Sequence, residues 1–190
     1  MKQTKISLIS ASISGYFLLT AIFLQALVFP LKNVDFIYEG AIITYFIEFI
    51  NIHSTVSLLM ARSRQTVSKL TVQSLLLVYL FFAFILMLNA KNKLLIIYFT
   101  ISLINKILFN QSLPNKNTSF IVTFLLLGSV GLAILTGPVW KFLFPFPPEV
   151  LLMRPKNISG LFVDVPQILL AWGVIYTLAM GIYEIRFLKN

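Results

Sequence analysis

Six long apolar runs, each parted from the next by a few polar or charged residues, constrain this chain more than any motif does. The first, Ile6–Leu31, holds no Asp, Glu, Lys or Arg, and neither does Leu70–Ala90. A helix crosses about 30 Å of hydrocarbon in roughly 20 mostly apolar residues. By that ruler the spans are Ile6–Leu31, Phe36–Met60, Leu70–Ala90, Leu94–Leu113, Ser119–Phe144 and Gln167–Leu188. Backbone amides in lipid must be satisfied within their own segment, so each run is expected to be helical. The pattern predicts an all-α, polytopic transmembrane helix bundle of about six spans, forming one integral-membrane domain over 1–190. The second and fourth runs are the least apolar.

Composition agrees with that class. Hydrophobic residues make up 58% of the chain and charged residues 11%, against about 25% charged in an ordinary soluble domain. So few charges cannot cover the surface of a soluble fold, whereas lipid requires no such cover. The net charge of +9 does not point to nucleic acid. The cations sit singly or in small groups between apolar runs, as in loops held at an anionic lipid surface, and no basic stripe with interleaved aromatics exists. The absence of cysteine excludes disulfides, thiolate catalysis and iron–sulfur ligation.

The breaks carry the expected punctuation. Pro30 ends the first run, Asp35 is a candidate cap for the second helix, and Thr118 follows a Pro114–Asn117 turn cluster as a candidate cap for the fifth. Gly137-Pro138 is expected to kink the fifth helix near its end. Met1–Lys5 ahead of an apolar run resembles a secretory leader. The run is longer than a leader core of about 7–15 residues and ends on Leu27-Val28-Phe29-Pro30, so a retained helix is expected. With the N-terminus cytoplasmic, Lys2, Lys5, Arg62, Arg64, Lys69, Lys116, Arg186 and Lys189 fall inside. Lys32, Lys91, Lys93, Lys141, Arg154 and Lys156 fall outside. The excess favours both termini in the cytoplasm. No internal repeat relates the first three runs to the last three.

The second run carries a polar stripe. Thr44, Tyr45, Glu48, Asn51 and Thr55 follow spacings of three and four, which place them along one side of a helix. An ionised carboxylate at mid-span costs roughly 3 kcal/mol unless it is paired or wetted. Lys106 lies as far into the fourth run as Glu48 lies into the second, and both helices would cross in the same direction. Ser102 and Asn110 stand one turn either side of it. An ion pair between Glu48 and Lys106 is therefore expected, as a dry clamp between helices ahead of a water-accessible site for an ion or polar solute. Tyr45, Asn51 and Ser102 would flank it. His53 is the only histidine. It lies about 140° around the helix from Glu48, so the two cannot share a face, and a packed hydrogen-bonding role is favoured over a ligand or proton carrier. Glu39, in the first turn of the same helix, suits the helix dipole, and Glu184 is expected to be solvated near an interface.

The one long connection, Trp140–Pro166, is interrupted by Pro145, Pro147, Pro148 and Pro155, yet is too apolar for a free loop. It is expected to be a surface-lying connector ahead of a lid whose polar contacts would be Glu149, Arg154 and Asp164. Trp140 and Trp172 are candidate interfacial anchors. Small residues at four-residue spacing, Ala11 and Gly15, then Gly173, Thr177 and Gly181, mark expected close helix contacts.

These features leave three function classes. A structural or accessory membrane protein, associating with other membrane subunits or itself, fits the lack of chemistry. A small-solute or ion transporter or channel fits the Glu48–Lys106 site. A membrane-embedded enzyme acting on lipid or quinone fits least, since no nucleophile with a base, paired carboxylates or histidine cluster is visible. No cofactor or metal is called for. A bacterial inner membrane is the expected location.

Overall fold

The structure is a computed structural model that describes residues 2–49, 77, 78, 81, 84, 85, 88, 116–156 and 159–189. Side chains are described within these ranges except at 2–12, 116–119 and 187–189. Every regular element among the described residues is helical, and no strand occurs there. The chain is all-α.

Helix α1 is Lys2–Val28. It stops where expected, because Pro30 opens a short 3₁₀ turn, Pro30–Lys32, and cannot donate the backbone bond that would continue the helix. Helix α2 is described over 34–49 and begins with a π-turn, Phe36–Gly40. Asp35 does not cap it. Its backbone is already helical and its side chain makes no capping bond. Asn33 stands at the boundary instead: its carbonyl accepts from Ile37 N at 2.9 Å, while its side-chain amide donates to Phe29 O at 2.8 Å. One residue thus starts α2 and adds a second bond to Phe29 O, just past the end of α1, which also accepts from Lys32 N at 3.2 Å.

Helix α3, Lys116–Leu135, begins two residues ahead of Thr118, which therefore lies inside the helix rather than capping it. The expected single fifth helix over 119–144 is two. After Thr136 the chain turns by 62° into α4, Gly137–Leu143. Pro138 has no N–H for the preceding turn, and the Thr136 hydroxyl donates to Leu132 O at 2.7 Å. Two short helices follow, α5 at Pro148–Leu152 and α6 at Leu161–Asp164, and then α7 at Pro166–Lys189.

The residues group into two compact units, Met1–Ile42 with Leu125–Asn190, and Ile43–Phe124. In the first, α1 packs along α7, and α4 and α6 also pack on α7. The register between α1 and α7 is antiparallel, for contacts that climb α1 from Phe17 through Thr20 to Phe23 descend α7 from Gly181 through Thr177 to Gly173. By length and composition, Pro166–Arg186 can cross a membrane, and Phe120–Leu135 with Gly137–Leu143 passes the same test as a bent pair.

The Trp140–Pro166 segment does not hang free. Phe146, Val150 and Val163 are buried, and the Tyr38 hydroxyl donates to Val150 O at 3.0 Å. Gly160 turns the chain with φ of 150°, a conformation a β-carbon rarely tolerates. Its N–H donates to Asp164 Oδ2 at 3.1 Å, and Arg154 Nη1 donates to Asp164 Oδ1 at 2.9 Å.

Candidate functional site

The polar stripe of α2 begins with Thr44 and Glu48, four residues apart and so on one side of the helix. Both are buried, Glu48 with 2% of its surface exposed. Ala41 and Ile47 are buried beside them, whereas Phe46 and Phe49 are exposed on the other side. The helix thus turns its carboxylate inward and its phenyl rings outward. Tyr45 is half-buried, one residue off the Thr44–Glu48 line, and its ring meets Phe46 edge-on with centroids 5.8 Å apart. A carboxylate so far from water is held by a counter-charge, by hydrogen bonds or by a proton. Asn51, His53, Thr55, Ser102 and Lys106 lie outside the described residues, and with them the expected pair.

A second polar site, missed in the sequence, lies between α1 and α7. Thr20 and Thr177 are buried with their hydroxyl oxygens 2.7 Å apart. Thr20 Oγ1 is also 2.9 Å from Tyr16 O, and Thr177 Oγ1 is 2.7 Å from Gly173 O. Two hydroxyl protons serve three contacts, so one threonine donates to its partner while the partner donates to the carbonyl of its own helix. The pair is self-contained and requires no water.

Around it the small residues act as spacers. A β-carbon at Gly173 would stand 2.2 Å from the Phe23 ring, and one at Gly181 would stand 3.3 Å from the ring of Phe17. The Phe23 ring fills the space over Gly173. It meets Phe36 edge-on at 5.1 Å and Trp172 edge-on at 6.2 Å, and Trp172 stacks on Tyr176 at 5.4 Å. Trp172 is therefore a core residue and not an interfacial anchor, since it is fully enclosed within this aromatic group. Gly15 is buried on α1, and the side chain of Ala11 lies outside the description. Glu184 is half-buried rather than fully solvated.

Arg154 and Asp164 are paired with each other and exposed, and Glu149 is exposed. Among the described residues, no three His, Cys, Asp or Glu side chains come together in a way that holds a metal ion. Thr20, Ser129 and Gln167 are buried polar residues with no spacing signal in the sequence, each being a lone polar residue in an apolar stretch. Comparison of the chain with protein-family models, curated proteins and solved structures finds no match.

Proposed function

We propose that this chain is a polytopic integral membrane protein of about six spans with a structural or accessory role in its membrane. One observation carries the reading: many large apolar side chains are exposed along the helices while several polar ones are buried. Leu77, Val78, Phe81, Phe84, Ile85 and Leu88 are 39–68% exposed. Each of the six is helical, and a helical surface facing water carries charged residues at exposed positions. Phe17, Leu18 and Leu24 on α1, Leu132 and Leu135 on α3, and Leu178 and Ile182 on α7 repeat the pattern. Thr20, Thr44, Glu48, Ser129, Gln167 and Thr177 are meanwhile buried. In water each exposed large side chain forgoes up to roughly 1.5–3 kcal/mol of burial, and apolar patches of this extent mark membrane or partner surfaces.

The Thr20–Thr177 contact supports the accessory role. The Thr20–Thr177 pair is satisfied within the protein, as a packing clamp is and a solute path is not. The expected partners are the bilayer and other membrane subunits or further copies of the chain. A bacterial inner membrane and two cytoplasmic termini complete the reading. Reconstituted alone into liposomes, the protein should carry no proton or ion flux, and a mild-detergent extract should bring down a stoichiometric membrane partner or a homo-oligomer.

Glu48 favours a second reading, a small-solute or ion transporter acting through Glu48 and Lys106, because intramembrane carboxylates so often mark ion and proton routes. Flux that disappears in Glu48→Gln would establish it and displace the accessory role.

A further inference from the structure

The outward surface of α4 and α5 is apolar where a connector in water would be polar. Phe142 is 83% exposed and Leu152 is 79% exposed, with Val139, Leu143 and Met153 exposed beside them. The inward side of the same segment is apolar as well, with Phe146 and Val150 buried in the first unit. We propose that α4 and α5 form a wedge inserted into one leaflet, its outward side chains lying among the acyl chains of zwitterionic phospholipid. The proposal rests on the membrane reading above and names what covers this surface.

Three features fit acyl chains better than water or a protein partner. Leu132 and Leu135, in the last turn of α3 before the break, are exposed as well. Because α4 is turned 62° from α3, its side chains spread sideways at one end of α3 instead of lengthening it, as in a segment lying along an interface.

The segment also demands little hydrogen bonding from its surroundings. The Trp140 indole N–H donates to Thr136 Oγ1 at 2.9 Å, and Thr136 in turn donates to Leu132 O. The Trp140 ring, stacked on Phe144 at 5.9 Å, needs no headgroup or water partner. Irregular backbone is costly in lipid because of its open donors. Pro145 and Pro147 remove N–H groups where the chain is not helical, and Pro148 removes one in the first turn of α5.

Charge gives the third argument. The segment carries Lys141, Arg154 and Lys156 alongside Glu149 and Asp164 in its sequence, and Arg154 is paired with Asp164. Such a balance gives no strong preference for anionic headgroups, so burial of apolar surface drives the insertion. Lys141 can reach the headgroups along its own stem.

The two tryptophans make the test direct. Trp172→Phe leaves Trp140 as the sole indole, and Trp140→Phe leaves the enclosed Trp172 as the reference. Each full-length variant is reconstituted into phosphatidylcholine vesicles with and without lipid brominated near the headgroup end of the acyl chain. A roughly twofold or larger loss of Trp140 emission is expected, as for a ring at interfacial depth, with no quenching by iodide and little change for Trp172. Quenching of Trp140 by iodide and not by bromolipid, in vesicles that retain the protein through an alkaline wash, overturns the wedge and leaves the membrane reading standing. Loss of the protein in that wash overturns both. Should Trp172→Phe fail to fold, single cysteines at Phe142 and Leu152 carrying an environment-sensitive dye give the same answer. A blue-shifted, iodide-resistant emission supports the wedge, and a water-like, iodide-quenched emission refutes it.

Discussion

Replacing Gly173 by alanine places a methyl carbon 2.2 Å from two Phe23 ring carbons and 2.5 Å from a third, where ordinary contact begins at 3.4 Å. The ring must retreat by about 1.2 Å to clear it, the difference between those two distances. Phe23 has no room to do so, being buried with Phe36 at 5.1 Å on one side and Trp172 at 6.2 Å on another. Trp172 cannot yield easily either, because Tyr176 is stacked on it and both are fully enclosed. Overpacking of a filled core costs roughly 1–3 kcal/mol. The alternative is for α1 and α7 to separate, which strains the 2.7 Å contact between Thr20 and Thr177 one turn away. Thermal unfolding of the detergent-solubilised protein, followed by tryptophan emission, should show the midpoint of Gly173→Ala falling by several degrees. Gly131→Ala is the control. A β-carbon there meets nothing within 4 Å, so that midpoint should hold, or rise because alanine favours helix by up to about 1 kcal/mol. Adding Phe23→Leu to Gly173→Ala should recover part of the loss. An unchanged or raised midpoint for Gly173→Ala alone would refute the packing of Phe23 over Gly173.

Three further outcomes follow from the same geometry. In a double-mutant cycle, Thr20→Val and Thr177→Val should couple by about 0.6 kcal/mol, the usual worth of a hydrogen bond between membrane helices, and unfolding midpoints that simply add would show the hydroxyls do not meet. Tyr38→Phe withdraws the donor from Val150 O and should cost about 1 kcal/mol, with faster protease nicking between Phe144 and Arg154; wild-type cleavage rates would count against that tether. Phe81→Lys puts a charge at an exposed apolar position and should cost roughly 3 kcal/mol of insertion, read as loss of the membrane-bound fraction, whereas better yield and solubility would mean that Phe81 faces water.

The sequence made the helical class legible because apolar runs parted by Pro30, the Pro114–Asn117 cluster and clustered charges leave the backbone few options. The stripe Gly173, Thr177 and Gly181 was legible for the same reason, since spacing within one helix is a local property. Its partners were not. Phe17, Thr20 and Phe23 lie more than a hundred residues away, and nothing around Thr20 distinguishes it from a threonine facing lipid. Trp172 was misread for a related reason. An indole near the end of an apolar run has the same local signature whether it anchors at an interface or packs under Phe23. Asp35 was a reasonable cap by residue type, but Asn33 is placed to serve two helix ends at once. In Trp140–Pro166 the sequence showed excess apolarity without dividing it. Only the packing separates Phe146, Val150 and Val163, which turn inward, from Phe142, Leu152 and Met153, which turn out. Of the candidate site, Glu48 was found by its burden as a carboxylate in an apolar run, and it is buried.

The absence of cysteine allows the central claim, that the outward apolar faces meet lipid, to be tested at single positions. Cysteines placed separately at Leu132 and Leu178, both exposed, would be offered a charged maleimide in intact membranes and again after detergent. Resistance at both positions until detergent is added, with prompt reaction by a lipid-soluble maleimide throughout, is the predicted result. Rapid labelling of both by the charged reagent without detergent would place these faces in water and contradict the account.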